Sequence, residues 1–148
     1  MQNFKVSIVV VPVYKEENSI IPFLGRAEKV ANREVCDYEI IFCLDPSPDK
    51  TYEVIKNQIK KIPILNYYNL SRKFGQPAAT MAGIYNCIGD ICIVIDVDLQ
   101  NSPELIPEMI KKWQEGFNVV YAKRKSRKGE CYEPQKPATR LSKLKPTD

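Results

Sequence analysis

Two aspartates stand one residue apart at the end of an apolar run. The stretch reads "IVIDVDLQ", with Asp96 and Asp98 directly after Ile93, Val94 and Ile95. In extended chain, side chains two apart point the same way, so both carboxylates can face one ligand. Two close carboxylates repel unless a cation or hydrogen-bond donors compensate. The chain contains no histidine, which removes Ser-His-Asp and Cys-His catalysis and every His-ligated metal. A cation here is therefore held by oxygen, and Mg2+ or Mn2+ is the natural occupant. Mg2+ usually takes one or two protein carboxylates and completes its shell with phosphate oxygens and water. The pair thus points to a metal-bound di- or triphosphate rather than a closed metal cage.

The elements that must position this pair alternate along the chain. Continuous β-branched or apolar runs predict strands over 5–11, 38–44, within 62–70, over 90–95 and over 118–122. Between them the pattern predicts helices over about 19–32, from Asp49 as N-cap to about 60, over 76–88, and from Ser102-Pro103-Glu104 onward. In the last of these Leu105, Ile106, Met109, Ile110 and Trp113 recur at helical spacing, Pro107 argues for a loosened start, and Gly116 is placed to end it. Such alternation implies right-handed crossovers and an α/β fold, a mostly parallel sheet with helices on both faces. Ligands of such sheets bind beyond the carboxyl ends of the strands. Pro12, Tyr14 and Glu16 follow the first strand, Asp45 the second, Arg72 and Lys73 the third, Asp96 and Asp98 the fourth, and Arg124 the fifth. All these polar turns are expected at one edge.

The bulk numbers set limits. A chain of 148 residues, 44% apolar and 27% charged, suits one soluble domain with a real core. Its longest early apolar run, "SIVVVPV", is far too short for a span of roughly 20 residues and has no signal-peptide flank, so a cytoplasmic location is expected. The five cysteines form no C-x-x-C pair, so neither zinc nor a disulfide framework is indicated, and Cys43 and Cys92 are expected as small buried hydrophobes. From Lys123 to the end, nine Lys and Arg face three Asp and Glu. This basic, proline-containing segment reads as a mobile loop or tail that can meet phosphates. It lacks the interleaved aromatics of a nucleic-acid binder, and no nucleic-acid partner is expected.

The ordered set "VVVPVYKEE", "YEIIFCLDPSPDKT", "RKFGQPAATMAGIYNCIGD", "IDVDLQNSPELIPEMI" and "WQEGFNVVYAKRKSR" resembles family 2 glycosyltransferases of the GT-A fold. Within that family it is most similar to the polyprenyl-phosphate group, the dolichol-phosphate mannosyltransferase-like and bactoprenol glucosyltransferase-like enzymes. The resemblance covers residues 4 to about 130. It implies a Rossmann-like nucleotide-sugar-binding domain over 1–124, with 125–148 as the tail. By position, Pro12, Tyr14 and Glu16 match the turn beside the nucleotide base, and Asp45 matches an aspartate holding base or ribose. Asp96, Val97 and Asp98 match the D-x-D motif, with Asp98 the direct metal ligand and Asp96 beside it toward ribose. Gln100 matches the glutamine that follows this motif, and Arg124 a basic residue near phosphate. Leu44, Pro46 and Lys73 depart from the family pattern. The family pattern continues into a second, acceptor-side segment, so the resemblance implies a chain truncated after its donor-binding half.

The expected reaction is inverting, metal-dependent transfer of a sugar from a nucleotide-diphosphate sugar to a lipid phosphate, with Asp98 and Arg124 serving the leaving diphosphate. The basic tail is expected to touch the cytoplasmic face of a membrane. Two other readings use the same residues. A nucleotidyltransferase also employs carboxylates and Mg2+ on an α/β sheet, and a degenerate fragment would bind the nucleotide sugar without turnover.

Overall fold

The computed structural model describes residues 3–34, 37–97 and 103–122. Four strands, β1 (Lys5–Val13), β2 (Asp37–Leu44), β3 (Leu65–Asn69) and β4 (Ile91–Ile95), form a parallel sheet in the order β3-β2-β1-β4. The helices are α1 (Ile20–Glu34), α2 (Thr51–Ile59), α3 (Gln76–Asn86) and α4 (Ile106–Gln114). The chain winds outward from β1 through β2 to β3, and α3 then carries it back across to the far side of β1. Its direction reverses between β1 and β4, where a doubly wound sheet opens a crevice at the carboxyl ends of its strands.

The β-branched runs become strands because both faces of the sheet are covered. On one face Val6, Ile8 and Val10 of β1 and Ile40, Phe42 and Leu44 of β2 pack under Phe23 and Ala27 of α1, Ile55 of α2, and Ile106 and Ile110 of α4. On the other face Val9, Ile41 and Cys43 meet Ala79 of α3. The close approach of α3 depends on Gly83, where a Cβ would fall 2.2 Å from Val9 Cγ1 and 2.9 Å from Cys43 Sγ. Burial pushes the Cys43 thiol up to about 11. Burial first, then its neighbour Cys87, pushes the half-buried Cys92 up to about 12. These thiols stay protonated and pack as small apolar groups. Cys36 and Cys131 lie outside the described residues.

A polar row closes the amino-terminal side of the α3 face. Ser7 Oγ donates to Glu39 Oε1, both side chains being buried. Ile88 N donates to the same Oε1 at 2.9 Å and Gly89 N to Ser7 Oγ at 2.8 Å. Asp90 N donates to Lys5 O at 2.8 Å, and Lys5 N donates back to Asp90 Oδ2 at 2.8 Å. A buried carboxylate is tolerated when it is hydrogen-bonded in this way, and these bonds clamp the turn from α3 to β4 onto the two central strands.

Several expectations need correction. β1 does not stop before Pro12. It runs to Val13 through a register shift, with Val10 opposite Phe42 and Val13 opposite Leu44. Proline has no N–H to give the ladder, and the irregularity absorbs it. Residues 118–122 form no strand, and Val119 and Tyr121 are 82% and 80% exposed. An apolar β-prone run needs a ladder partner, and the described residues supply none. Asp49 is not the N-cap of α2. That position is Lys50, and Asp49 accepts from the N–H of Thr51, the first residue of the helix. α3 ends at Asn86, because the N–H groups of Ile88 and Gly89 are taken by Glu39 and Ser7. Before α4 comes a 3₁₀ turn over Pro103–Leu105. An α-helix starting at residue 103 would place Pro107 where an N–H is required, whereas from Ile106 onward it falls in the permitted first turn. Leu105 accordingly leaves the buried stripe and is exposed, while Ile106 and Ile110 stay buried. Gly116, at φ +101°, ends the helix as expected.

The glycines give opposed stability predictions. A Cβ at Gly89 would sit 2.6 Å from Ser7 Oγ and 2.7 Å from Ser7 N, within the clamp itself. Gly89→Ala is expected to cost about 1–3 kcal/mol in urea unfolding. Gly25 lies inside α1, and a Cβ added there would meet nothing within 4 Å. Gly25→Ala is expected to stabilise by about 0.5–1 kcal/mol.

Candidate functional site

The turns after β1, β2 and β3 gather at the carboxyl edge of the sheet, fastened by two side-chain carboxylates. Asp45, directly after β2, is buried. Its backbone N donates to Val13 O at 3.2 Å, tying β2 to the end of β1. Its carboxylate accepts from Phe74 N at Oδ1 and from Gly75 N at Oδ2, both at 3.3 Å. The turn after β3 is thereby fastened to the end of β2. Gly75 sits at φ +87°, a conformation that costs glycine little and L side chains more.

This tether brings cations over aromatic rings. Lys73 Nζ lies 4.1 Å from the centre of the Tyr14 ring, and Lys15 Nζ lies 5.5 Å from the same ring. The Arg72 guanidinium stands 4.6 Å from the centre of the Phe74 ring. The ring quadrupole attracts each cation. Among the described residues no carboxylate forms an ion pair with Lys15, Arg72 or Lys73. Their positive charge therefore stays available to a ligand at this edge.

A second carboxylate locks the turn after β1. Asp49 Oδ1 accepts from Ser47 Oγ at 2.5 Å, Thr51 Oγ1 at 2.6 Å and Thr51 N at 3.2 Å. Ser47 Oγ in turn accepts from Lys15 N at 3.0 Å, and Thr51 Oγ1 accepts from Glu16 N at 2.9 Å. Glu17 Oε2 accepts from Lys50 N at 3.0 Å, so the two turns hold each other. Lys15 is kept at φ +54°, a left-handed conformation uncommon outside glycine. Burial tends to raise the Asp49 pKa, but the hydrogen bonds from Ser47 and Thr51 outweigh it and hold the carboxyl below its ordinary value of 3.8.

Of the residues singled out from sequence, the fold brings Tyr14, Glu16, Asp45 and Asp96 to one edge. Pro12 lies in the irregular end of β1. The Val97 side chain is buried in the core and does not reach a ligand. Glu16 O accepts from Ser19 N at 2.9 Å and Ile20 N at 3.3 Å, which starts α1. Asp98, Gln100 and Arg124, with the rest of the basic tail, lie outside the described residues. Sequence reasoning missed the convergence of Lys15 and Lys73 on Tyr14 and the locking roles of Ser47, Asp49 and Thr51. The dense turn "DPSPDKT" carried the second signal, since Ser, Asp and Thr favour such local hydrogen bonds.

Among the described residues no group of three or more His, Cys, Asp and Glu gathers as a ready-made metal cage. Asp96 at the end of β4 is the half-buried carboxylate described at the switch point. An oxygen donor placed there fits a hard divalent cation that takes its remaining ligands from water and phosphate.

A β3-β2-β1-β4 parallel sheet with polar turns at its carboxyl edge is a doubly wound α/β architecture. The family model for glycosyl transferase family 2 matches residues 8–147, and the chain belongs to that family. It is 40% identical over 136 residues to the uncharacterized glycosyltransferase YkcC of Bacillus subtilis, covering 92% of this chain and 42% of that protein. It is 36% identical over 140 residues to the prophage bactoprenol glucosyl transferase homolog of Escherichia coli, covering 95% of this chain and 45% of that protein. The chain thus spans less than half the length of these relatives. The mannosyltransferase PcManGT of Pyrobaculum calidifontis, solved in complex with GDP-Man and Mn2+, superposes with a TM-score of 0.65. That match, at 18% identity, covers 75% of this chain and 32% of the other. The fold is GT-A.

The lock around Asp49 has a pH signature. Its folded pKa lies below its unfolded value, so its contribution is complete above the unfolded value and is lost as pH falls through the folded one. Asp49→Ala is expected to lower stability near neutral pH by about 1.5–3 kcal/mol and to flatten the acid limb of stability below about pH 4. Thermal unfolding of both proteins between about pH 2 and 7 measures this.

Proposed function

We propose that this domain binds a nucleotide-diphosphate sugar at the carboxyl edge of its sheet and serves inverting transfer of the sugar to a polyprenyl phosphate. The observation that carries the reading is that Tyr14, Asp45, Lys73 and Asp96 all follow the carboxyl ends of strands in a family 2 chain, with Lys73 over the Tyr14 ring. The relative named for bactoprenol favours a lipid-phosphate acceptor.

In this reading the base lies beside Tyr14 and the turn that Asp45 tethers, and the stretch from Pro12 to Glu16 forms the opposite wall. Lys15, Arg72 and Lys73 make the entrance positive, which draws in a polyanionic donor. Asp98, with Asp96 beside it, would hold Mg2+ or Mn2+, which when bound neutralises charge on the leaving diphosphate. By the family pattern Val97 would present backbone to the donor, Gln100 would stand beside the pair, and Arg124 would be a second positive clamp. The anomeric carbon loses its bond to the diphosphate oxygen, whose electron pair leaves with the nucleotide. A new bond forms to an acceptor phosphate oxygen on the opposite face. That oxygen is already anionic near neutral pH, so no strong general base is required, in accord with a chain that has no histidine.

No helix among the described residues is long and apolar enough to cross a membrane. In the proposed arrangement the basic segment from Lys123 onward meets anionic headgroups at the cytoplasmic face. A second reading, nucleotide-sugar binding without turnover, uses the same edge residues.

A thermal-shift panel of nucleotide sugars with and without Mn2+ tests the proposal. One donor is expected to stabilise the protein only with the metal, by about 2.7 kcal/mol at a hundredfold excess over Kd. Asp98→Asn should abolish that metal-dependent part, and unchanged donor affinity with Mn2+ refutes the metal role. Arg124→Ala should weaken diphosphate binding by about tenfold or more. Donor binding without product on added polyprenyl phosphate selects the second reading.

A further inference from the structure

Three thiols collect on the α3 side of the sheet. Ala79 and Gly83 form the inner stripe of α3, and Cys87, the residue that caps the helix, continues their four-residue spacing. On β4, Cys92 is the ladder partner of Ser7 and shares its side of the sheet. On β2, Cys43 stands on the same side as Glu39 and Ile41. Cys87 and Cys92 both pack against the cluster of Val9, Ile41, Cys43 and Ala79. The small side chains of the α3 stripe let the helix approach closely, so the thiols at its end and beneath it are brought together.

The three are not equivalent. Cys43 is fully buried under the middle of α3, where a Cβ at Gly83 would come 2.9 Å from its Sγ. Cys87 and Cys92 are half-buried and lie within reach of solvent. Their thiols are hydrogen-bonded to each other, and Cys87 Sγ also donates to Ile84 O at 3.0 Å. The chain between them is short and held at each step. Ile88 N, Gly89 N and Asp90 N donate to Glu39, Ser7 and Lys5 respectively. A disulfide forms only between cysteines whose backbones already lie close, and this clamped turn keeps both backbones in place.

We infer that Cys87 and Cys92 form a dithiol site that a peroxide oxidises to an intrachain disulfide, fastening the end of α3 to the start of β4. The Cys87 thiolate attacks one peroxide oxygen and the O–O bond breaks. Cys87 becomes a sulfenic acid, and the other oxygen leaves as hydroxide, which takes up the proton shed by the thiol to become water. The Cys92 sulfur then attacks the Cys87 sulfur. The S–S bond forms, the S–O bond breaks, and the hydroxyl leaves with the Cys92 proton as a second water. Two thiols are oxidised and one peroxide is reduced. Burial first, then the neighbouring Cys87, pushes Cys92 up to about 12. A thiol of high pKa is a poor leaving group, so a reductant that attacks the Cys87 sulfur releases Cys92 slowly. The site uses no residue of the donor-binding edge, and the inference does not depend on that reading.

The test uses the 148-residue chain carrying Cys36→Ser and Cys131→Ser, so that Cys43, Cys87 and Cys92 alone remain. The wild-type chain is mapped in parallel, which keeps the result independent of the substitutions. After reduction, removal of the reductant and treatment with excess hydrogen peroxide, the intact mass is expected to fall by about 2 Da. Proteolytic mapping should then link Cys87 to Cys92. Cys92→Ser should stop the bond and raise dimedone capture at Cys87 by about tenfold or more. Cys43→Ser should leave the bond intact. Hydrogen exchange of the Ile88, Gly89 and Asp90 amides should slow by about tenfold or more in the oxidised chain and recover with dithiothreitol. An unchanged mass, or oxygen added to Cys87 with no linked peptide, overturns the inference. So does a bond from Cys92 to Cys43, or one between two chains. A Cys87–Cys92 bond with unchanged exchange of the three amides overturns the fastening role.

Discussion

Parallel strands cannot be joined by hairpins, and every other feature of this domain follows from that restriction. Each connection must return to the starting end of the sheet, and here each does so through a helix. All carboxyl ends therefore collect on one edge and all amino ends on the other. The reversal between β1 and β4 then separates the outgoing turns on either side of β1 and leaves room between them. A polar residue immediately after any strand is delivered to that space, however far apart such residues lie in the chain.

Delivery alone would leave four independent loops. Two carboxylates fasten the turns after β1, β2 and β3 to one another. Asp45 ties the turn after β3 to the end of β2, and the bonds centred on Asp49 tie the turn after β1 to the turn before α2. Both spend their acceptor capacity on backbone N–H groups and hydroxyls of the turns. Among the described residues, the neighbouring lysines and arginine are consequently left without carboxylate partners and rest on aromatic rings. A ring satisfies a cation only partly, which leaves its charge effective toward an incoming anion. Loops fixed before a ligand arrives also lose less conformational entropy when it binds.

The two helix layers are unequal. The layer of α1, α2 and α4 shields a continuous apolar core and presents charge outward, including the Arg26–Glu104 pair at 2.7 Å. The α3 layer rests on small residues, is clamped at its end by the Ser7–Glu39 row, and turns apolar side chains away from the sheet. Close packing explains the small residues on its inner face but not the large ones on its outer face.

Much of this architecture was legible in the sequence. The first four strands were found because a strand covered on both faces must be apolar throughout, and such runs cannot be hidden by local chemistry. Gly116 and the turn before α2 were found because those conformations demand particular residue types. The run at 118–122 has the same strand-like composition, yet it forms no ladder, because pairing depends on a partner and not on propensity. The partners of each carboxylate were likewise hidden. Asp45 and Gly75 are 30 residues apart, and Lys15 and Ser47 are 32 apart. The sequence by itself determined which residue types reach the carboxyl edge, since strand order along the chain and residue position after each strand are local properties. Only the tertiary structure decided which of them hold the site together and which remain free to act, because hydrogen bonds form between atoms brought close in space rather than in sequence.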